Sequence, residues 1–310
     1  MKQAVIALGG NAFIKKGQKG DIYEQFANTR EMCKGIVNMI QHGWTPLLTH
    51  GNGPQVGSLF LQNNKSRNLI PPMPLGICVA ETKGYMGYMI QQSLKNALDK
   101  VNIQRHIATV ITQVLIDQQD PSMNNPTKPV GPYFTEEEAE YIKKDGYQVA
   151  KQPQGYRIVV PSPDPISIIE IEVIKHLIEN EIIVIAAGGG GLPVIKKPDW
   201  GYDGVEAVVD KDLASERIAE EINADLFLIL TNVSHVYLDF NTDHQYPITH
   251  CTLKEIQGYY NEGRFPAGSM GPKIQAAIRF LKQGGNKVII GDVNQGWEAV
   301  QGKTGTHITP

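Results

Sequence analysis

The sequence predicts an α/β protein whose mostly parallel sheet is covered by helices on both faces. Two observations carry that expectation. Apolar runs such as Ala4-Val5-Ile6-Ala7-Leu8 and Ile182-Ile183-Val184-Ile185-Ala186 are continuous rather than alternating, as strands buried on both faces are. Between them lie amphipathic segments at helical spacing, and glycines punctuate the turns, which is the rhythm of repeated strand–helix units.

The elements follow in order. The first run enters Gly9-Gly10-Asn11. Ile36, Val37, Met39 and Ile40 lie on one helical stripe that His42-Gly43 stops. Pro46-Leu47-Leu48-Thr49 leads into His50-Gly51-Asn52-Gly53, and Pro54 suits the first turn of a helix. Tyr85, Met86, Tyr88 and Met89 have the spacing of a core or dimer face. Ala108 to Ile111, the run ending in Gly188 to Gly191, Leu226 to Leu230 and Lys287 to Ile290 read as further strands. The rhythm breaks twice. Residues from about 117 to 165 are rich in proline, glutamine, charge and glycine, which predicts a protruding flap. The polar stretch 196–204 reads as a junction between an N-terminal lobe, about 1–195, and a C-terminal lobe, about 196–310.

Composition excludes several functions. Hydrophobic residues make up 41% of the 310 and charged ones 20%, ample for an enzyme-sized core. A formal net charge of -3 supplies no basic field for nucleic acid or a membrane surface. Cys33, Cys78 and Cys251 are too far apart in sequence for a metal quartet or disulfide framework and read as small buried hydrophobes. The chain opens on a strand without the layout of a signal peptide, and no apolar run would span a bilayer, so a reducing, cytoplasmic setting is expected.

The glycine turns hold the chemistry. One glycine pair only makes a tight turn, but several at the carboxyl ends of parallel strands share a crevice where main-chain N–H groups can hold an anion. Two familiar phosphate motifs fail on spacing. Five residues, not four, lie between Gly296 and Gly302-Lys303-Thr304, and the run Gly51 to Gly57 has one residue too many for a dinucleotide fingerprint. An oxidoreductase is therefore only a weak second reading. His50 beside the loop reads as a hydrogen-bonded structural histidine. Three lysines stand out. Lys128 sits among Pro126, Pro129 and Pro132; Lys211 lies between Asp210 and Asp212; Lys273 opens an amphipathic helix after Gly268-Ser269-Met270-Gly271-Pro272. A lysine at a helix start opposes the helix dipole, so an anion in front of Lys273 is expected.

Six segments, Ala7 to Ala12, Thr49 to Gly57, Asn125 to Pro132, Ala187 to Val194, Gly204 to Asp212 and Gly268 to Lys273, together resemble the carbamate kinases, a branch of the amino-acid kinase family. The resemblance runs in order from about residue 3 to 308. The resemblance implies a three-layer αβα sandwich on a mainly parallel open sheet, a homodimer, and reversible phosphoryl transfer between ATP and carbamate, giving ADP and carbamoyl phosphate. In cells that degrade arginine or purine-derived ureido compounds it implies net ATP formation. It assigns Gly9, Gly10, Asn11, Gly51, Asn52 and Gly53 to the phosphoryl and carbamate, and Lys128 on the flap to the transferred group. Lys211 falls on the β- and γ-phosphates, Lys273 and Met270 on the nucleotide, and Asp212 orients the lysines. The C-terminal lobe then binds nucleotide, and Mg²⁺ rides on the nucleotide oxygens, no dedicated metal cluster being visible. The sequence departs from the family pattern at Gln154 and Ile158, where arginines are usual, at Glu81-Thr82-Lys83, and at Asn232. These departures leave open a different carboxylate acceptor or a weakly active nucleotide-binding relative.

Overall fold

The apolar runs form the centre of an eight-stranded sheet. Its spatial order is His250–Thr252, Thr306–Thr309, Val288–Asp292, Leu226–Thr231, Lys2–Leu8, Trp44–His50, Ile183–Ile185 and Ile107–Thr109. Neighbours are parallel throughout, except that Val288–Asp292 meets Thr306–Thr309 antiparallel. This computed structural model describes residues 2–15, 17–152, 154–266 and 268–310; Met1, Lys16, Pro153, Ala267 and the side chain of Asn11 lie outside the described residues.

The period of two along each strand sends alternate side chains into two cores. Val5, Ala7, Phe227 and Ile229 pack with helices Ile171–Glu179, Lys211–Glu221, Leu253–Asn261 and Met270–Lys282. Ala4, Ile6, Leu8, Leu228 and Leu230 pack with helices Ile22–Gln41, Leu75–Lys100 and Gly296–Val300. The result is the three-layer αβα sandwich. Met86 and Met89 are fully buried in the second core, whereas Tyr88 is exposed. Cys33 and Cys78 are buried, Cys251 is partly so, and all are free thiols.

The polar stretch 196–204 is not a simple junction. Leu192–Lys197 and Gly201–Gly204 pair as an antiparallel hairpin at the edge of a second, four-stranded sheet. Its polarity reflects an outer position, where Lys197 pairs with Asp203 at 2.9 Å and lies over the Trp200 ring.

The flap carries its own antiparallel sheet, with Gly155–Val160 between Lys128–Phe134 and Val149–Gln152. Helix Glu136–Lys144 packs on it and starts with a reciprocal cap between Thr135 and Glu138. Val130, Ile158 and Val160 share a small core with Val56 and Phe60 of helix Gly53–Lys65 and with Cys78 and Val79. A Cβ on Gly57 would lie 1.7 Å from Gly131 Cα, so this contact between helix and flap exists only because Gly57 has no side chain.

Candidate active site

Because Lys2–Leu8, Trp44–His50 and Leu226–Thr231 are parallel neighbours, their carboxyl ends open on one side. There a cleft of about 480 Å³ lies beneath the flap. Gly9, Gly10, Gly51, Asn52 and Gly53 line one wall, Lys128 and Arg157 come from the flap, and Asp210, Lys211, Asp212, Met270 and Lys273 line the other wall. The sequence-predicted residues thus converge, save that the side chain of Asn11 lies outside the described residues.

The glycine wall is more constrained than a row of free donors. The N–H groups of Gly9 and Gly51 donate to the carbonyls of Leu230 and Leu8, both at 2.9 Å, and so are already engaged. Gly10 and Gly53 instead open helical turns, whose first N–H groups have no acceptor within the helix. Gly51 serves by close approach: a Cβ there would be 2.9 Å from Gly10 N and 3.3 Å from Lys211 Cδ. Asn52 is 3% exposed, and its Nδ2 donates to Thr82 Oγ1 at 2.8 Å, so its amide braces the loop against helix Leu75–Lys100.

The opposite wall is a charge network at the start of helix Lys211–Glu221. Asp210 caps that helix, its Oδ1 accepting from Asp212 N at 2.8 Å. Asp212 accepts from Lys211 Nζ at 2.5 Å and from Lys273 Nζ at 2.9 Å. Burial by itself would raise the Asp212 pKa, but the two ammonium groups outweigh it and hold the carboxyl well below its usual range. Burial lowers the Lys211 pKa, helped by the Lys273 charge and opposed by Asp212. Burial pulls on Lys273 too, yet Asp212 and Asp210 win and its pKa rises. Beyond the network, Tyr237, Phe240, Phe265 and Met270 give the cleft an apolar end, with the Tyr237 and Phe240 rings 5.9 Å apart. No sequence pattern singled out these aromatics: Tyr237 and Phe240 are three residues apart, and Phe265 comes from a separate segment.

A lysine-lined cleft facing glycine turns has the charge and the main-chain geometry to receive phosphate groups. The sequence profile of the Amino acid kinase family matches residues 2–292. The chain belongs to the amino acid kinase family. Membership makes it a phosphotransferase. It is 47% identical over 313 residues to the carbamate kinase of Pyrococcus horikoshii, covering 100% of this chain and 99% of that one. It is 42% identical to the carbamate kinase of Staphylococcus epidermidis, covering 100% of both. The solved carbamate kinase from Giardia lamblia bound to citric acid superimposes with a TM-score of 0.94 at 39% identity, over 99% of this chain and 98% of that one.

Several departures from the expected family pattern now have positions. Gln154 is exposed in the turn of the flap hairpin, and Ile158 is 3% exposed in the flap core. Neither lines the cleft, whereas the retained Arg157 does, donating twice to Gly131 O at 2.9 and 2.6 Å over the Tyr133 ring. Asn232 lines the cleft. Lys83 is 2% exposed, and its Nζ has no hydrogen-bond partner; burial drives its pKa well below the ordinary lysine value. His50 does not line the cleft: it is 1% exposed with Nδ1 at 3.2 Å from Gly51 O. Burial, then the charges of Lys83 and Lys211, lowers its pKa to about 4, which keeps the ring neutral.

Proposed function

We propose that this member of the amino acid kinase family is a carbamate kinase, catalysing ATP + carbamate ⇌ ADP + carbamoyl phosphate. The observation that carries the reading is the convergence, in one cleft, of the glycine loops with Lys128, Lys211 and Lys273 around Asp210 and Asp212. Full-length identity of 41–47% to proteins named carbamate kinase supports it.

Carbamate already bears an anionic oxygen, so no general base is needed. Its oxygen attacks the γ-phosphorus in line while the bond to the β–γ bridging oxygen breaks, and catalysis is positioning plus neutralisation of charge. Gly10, Asn52 and Gly53, with Asn11, hold the phosphoryl and carbamate by N–H and amide contacts, while Gly9 and Gly51 let the loops close together. Lys128 reaches the transferred group from the flap. Lys211 spans the β- and γ-phosphates, Lys273 and Met270 hold the nucleotide, and Asp212 aims both of those lysines. The N-terminal lobe, about 1–195, thus supplies carbamate and phosphoryl contacts, and the remainder, about 196–310, the nucleotide contacts. Mg²⁺ enters on the nucleotide oxygens, in keeping with the engagement of Asp210 and Asp212 by lysines and a helix N–H. A cytoplasmic homodimer, making ATP in arginine or purine breakdown, completes the reading. Among the described residues no helix is long and apolar enough to cross a membrane, and exposed Tyr23, Ile77 and Tyr88 offer apolar surface to a second copy.

Purified protein mixed with ADP, Mg²⁺ and carbamoyl phosphate should produce ATP, read by luciferase, with dependence on both substrates. Silence from folded protein would reject the reading. ATP offered with a panel of other carboxylates and UMP would then identify the acceptor.

A further inference from the structure

Lys128 and Asp210 form the one ion pair, among the described residues, that joins the flap strand Lys128–Phe134 to the start of helix Lys211–Glu221. Asp210 is not among the residues to which the family resemblance assigns a role. Both ends of this link are rigidly placed. Lys128 is registered opposite Val160 in the flap sheet, between Pro126 and Pro129, and the same strand is seated on helix Gly53–Lys65 through the Gly57–Gly131 contact. On the other side, Asp210 Oδ1 is committed to the helix cap, so its other oxygen, Oδ2, is aimed at Lys128 Nζ. Asp212 cannot substitute, because its two oxygens already hold Lys211 and Lys273.

Resting on the role of Lys128 proposed above, we infer that Asp210 is a positioning residue that tethers the flap lysine across the cleft and aims it at the transferred phosphoryl. An ammonium has three N–H groups, and a single carboxylate oxygen takes one, leaving two for an incoming anion. The side chains are 29% and 9% exposed, so solvent screens the pair only in part. The tether therefore orders the flap of the empty enzyme without locking it. Phosphoryl oxygens can share or take over the lysine as the reaction proceeds.

Asp210→Asn is the diagnostic change, because asparagine keeps the helix cap while losing the charge. Placed in the native background, it should lower kcat for ATP formation about tenfold or more with the nucleotide KM nearly unchanged. Combined with Lys128→Ala, which alone should cost on the order of a hundredfold, it should add less than about twofold, because its effect runs through that lysine. An equal loss in both backgrounds, or an unchanged kcat in the native one, overturns the inference. Amide hydrogen exchange of the ligand-free protein tests the tether without any catalytic readout. Strand Lys128–Phe134 should exchange faster in Asp210→Asn while helix Lys211–Glu221 keeps its protection. Unaltered flap exchange overturns the tether whatever the activity. An inactive native enzyme whose flap still loosens in the variant would instead remove the carbamate kinase reading and leave the tether standing.

Discussion

On one wall of the cleft the working parts are main chain: Gly10 and Gly51 lie so close that a single added carbon at Gly51 would collide with Gly10. On the other wall they are side chains: Lys211 and Lys273 share Asp212 at the mouth of a helix. The first wall owes its shape to strand pairing, since Gly9 and Gly51 continue the sheet through bonds to Leu230 and Leu8. The second owes its charge states to mutual pairing under burial, since Asp212 without its lysines would be a carboxylate with a raised pKa. A steric wall tolerates almost no change in shape, whereas an electrostatic wall tolerates changes of shape but none of balance.

The electrostatic wall is most vulnerable at Asp212. Asp212→Asn removes the carboxylate bonded to both buried ammonium groups, leaving them the weaker pull of Asp210, and should cost about 3 kcal/mol of stability, as removal of one partner from a buried pair does. Denaturant unfolding measures the loss, and added nucleotide should recover part of it by supplying phosphate charge. A variant as stable as the native protein would mean that solvent reaches these lysines freely. A smaller effect is expected on the steric wall. Gly51→Ala should lower turnover at least about tenfold through displacement of Gly10 and Lys211, with the fold retained. Turnover within twofold of native would show that the loops can part without harm.

An effect that emerges only as pH rises distinguishes a second carboxyl on the electrostatic side. Glu216 lies on the same helix as Asp212 and is 1% exposed, but its Oε2 has no hydrogen-bond partner. Burial, reduced by Arg217 and Arg279, pushes its pKa from 4.5 up to about 7. The folded state therefore holds a proton that the unfolded chain releases between those values. The stability linked to that proton is fully present below 4.5 and is lost as pH rises through 7. Glu216→Gln should thus gain stability over the native protein as pH rises from about 5 to 8, by at most about 3 kcal/mol at the upper end. Thermal unfolding at both pH values checks this. A difference that stays flat or reverses would mean that Glu216 is paired after all. Two buried carboxyls on one helix are thus oppositely shifted, and the one held down is the one that two lysines bond directly.

Much of the fold was legible in the sequence. Continuous apolar runs announced strands buried on both faces, and alternate residues of those runs do enter two separate cores. The hairpin at 192–204 was not legible, because a polar strand at a sheet edge has the composition of a loop. Lys273 at a helix start was legible as a conflict with the helix dipole, and its partner Asp212 lies 61 residues away. Asp210 was passed over because one oxygen serves an ordinary helix cap, and the other finds its lysine only across 82 residues. Tyr237 and Phe240 were missed for a related reason: an aromatic pair three residues apart gives no hint of the cleft it will face.

By itself the sequence determined the glycine turns, the apolar runs that place them at strand ends, and the order of motifs that marks the family. Those are local properties: a residue without a side chain, or a run without charge, dictates its backbone wherever it sits. Only the tertiary structure decided which N–H groups remained for a ligand, which lysine met which aspartate, and that Lys83 and His50 would be sealed from water. Hydrogen bonds and charge states depend on what the chain brings from elsewhere and on how much solvent it excludes, and neither quantity is written at any one position.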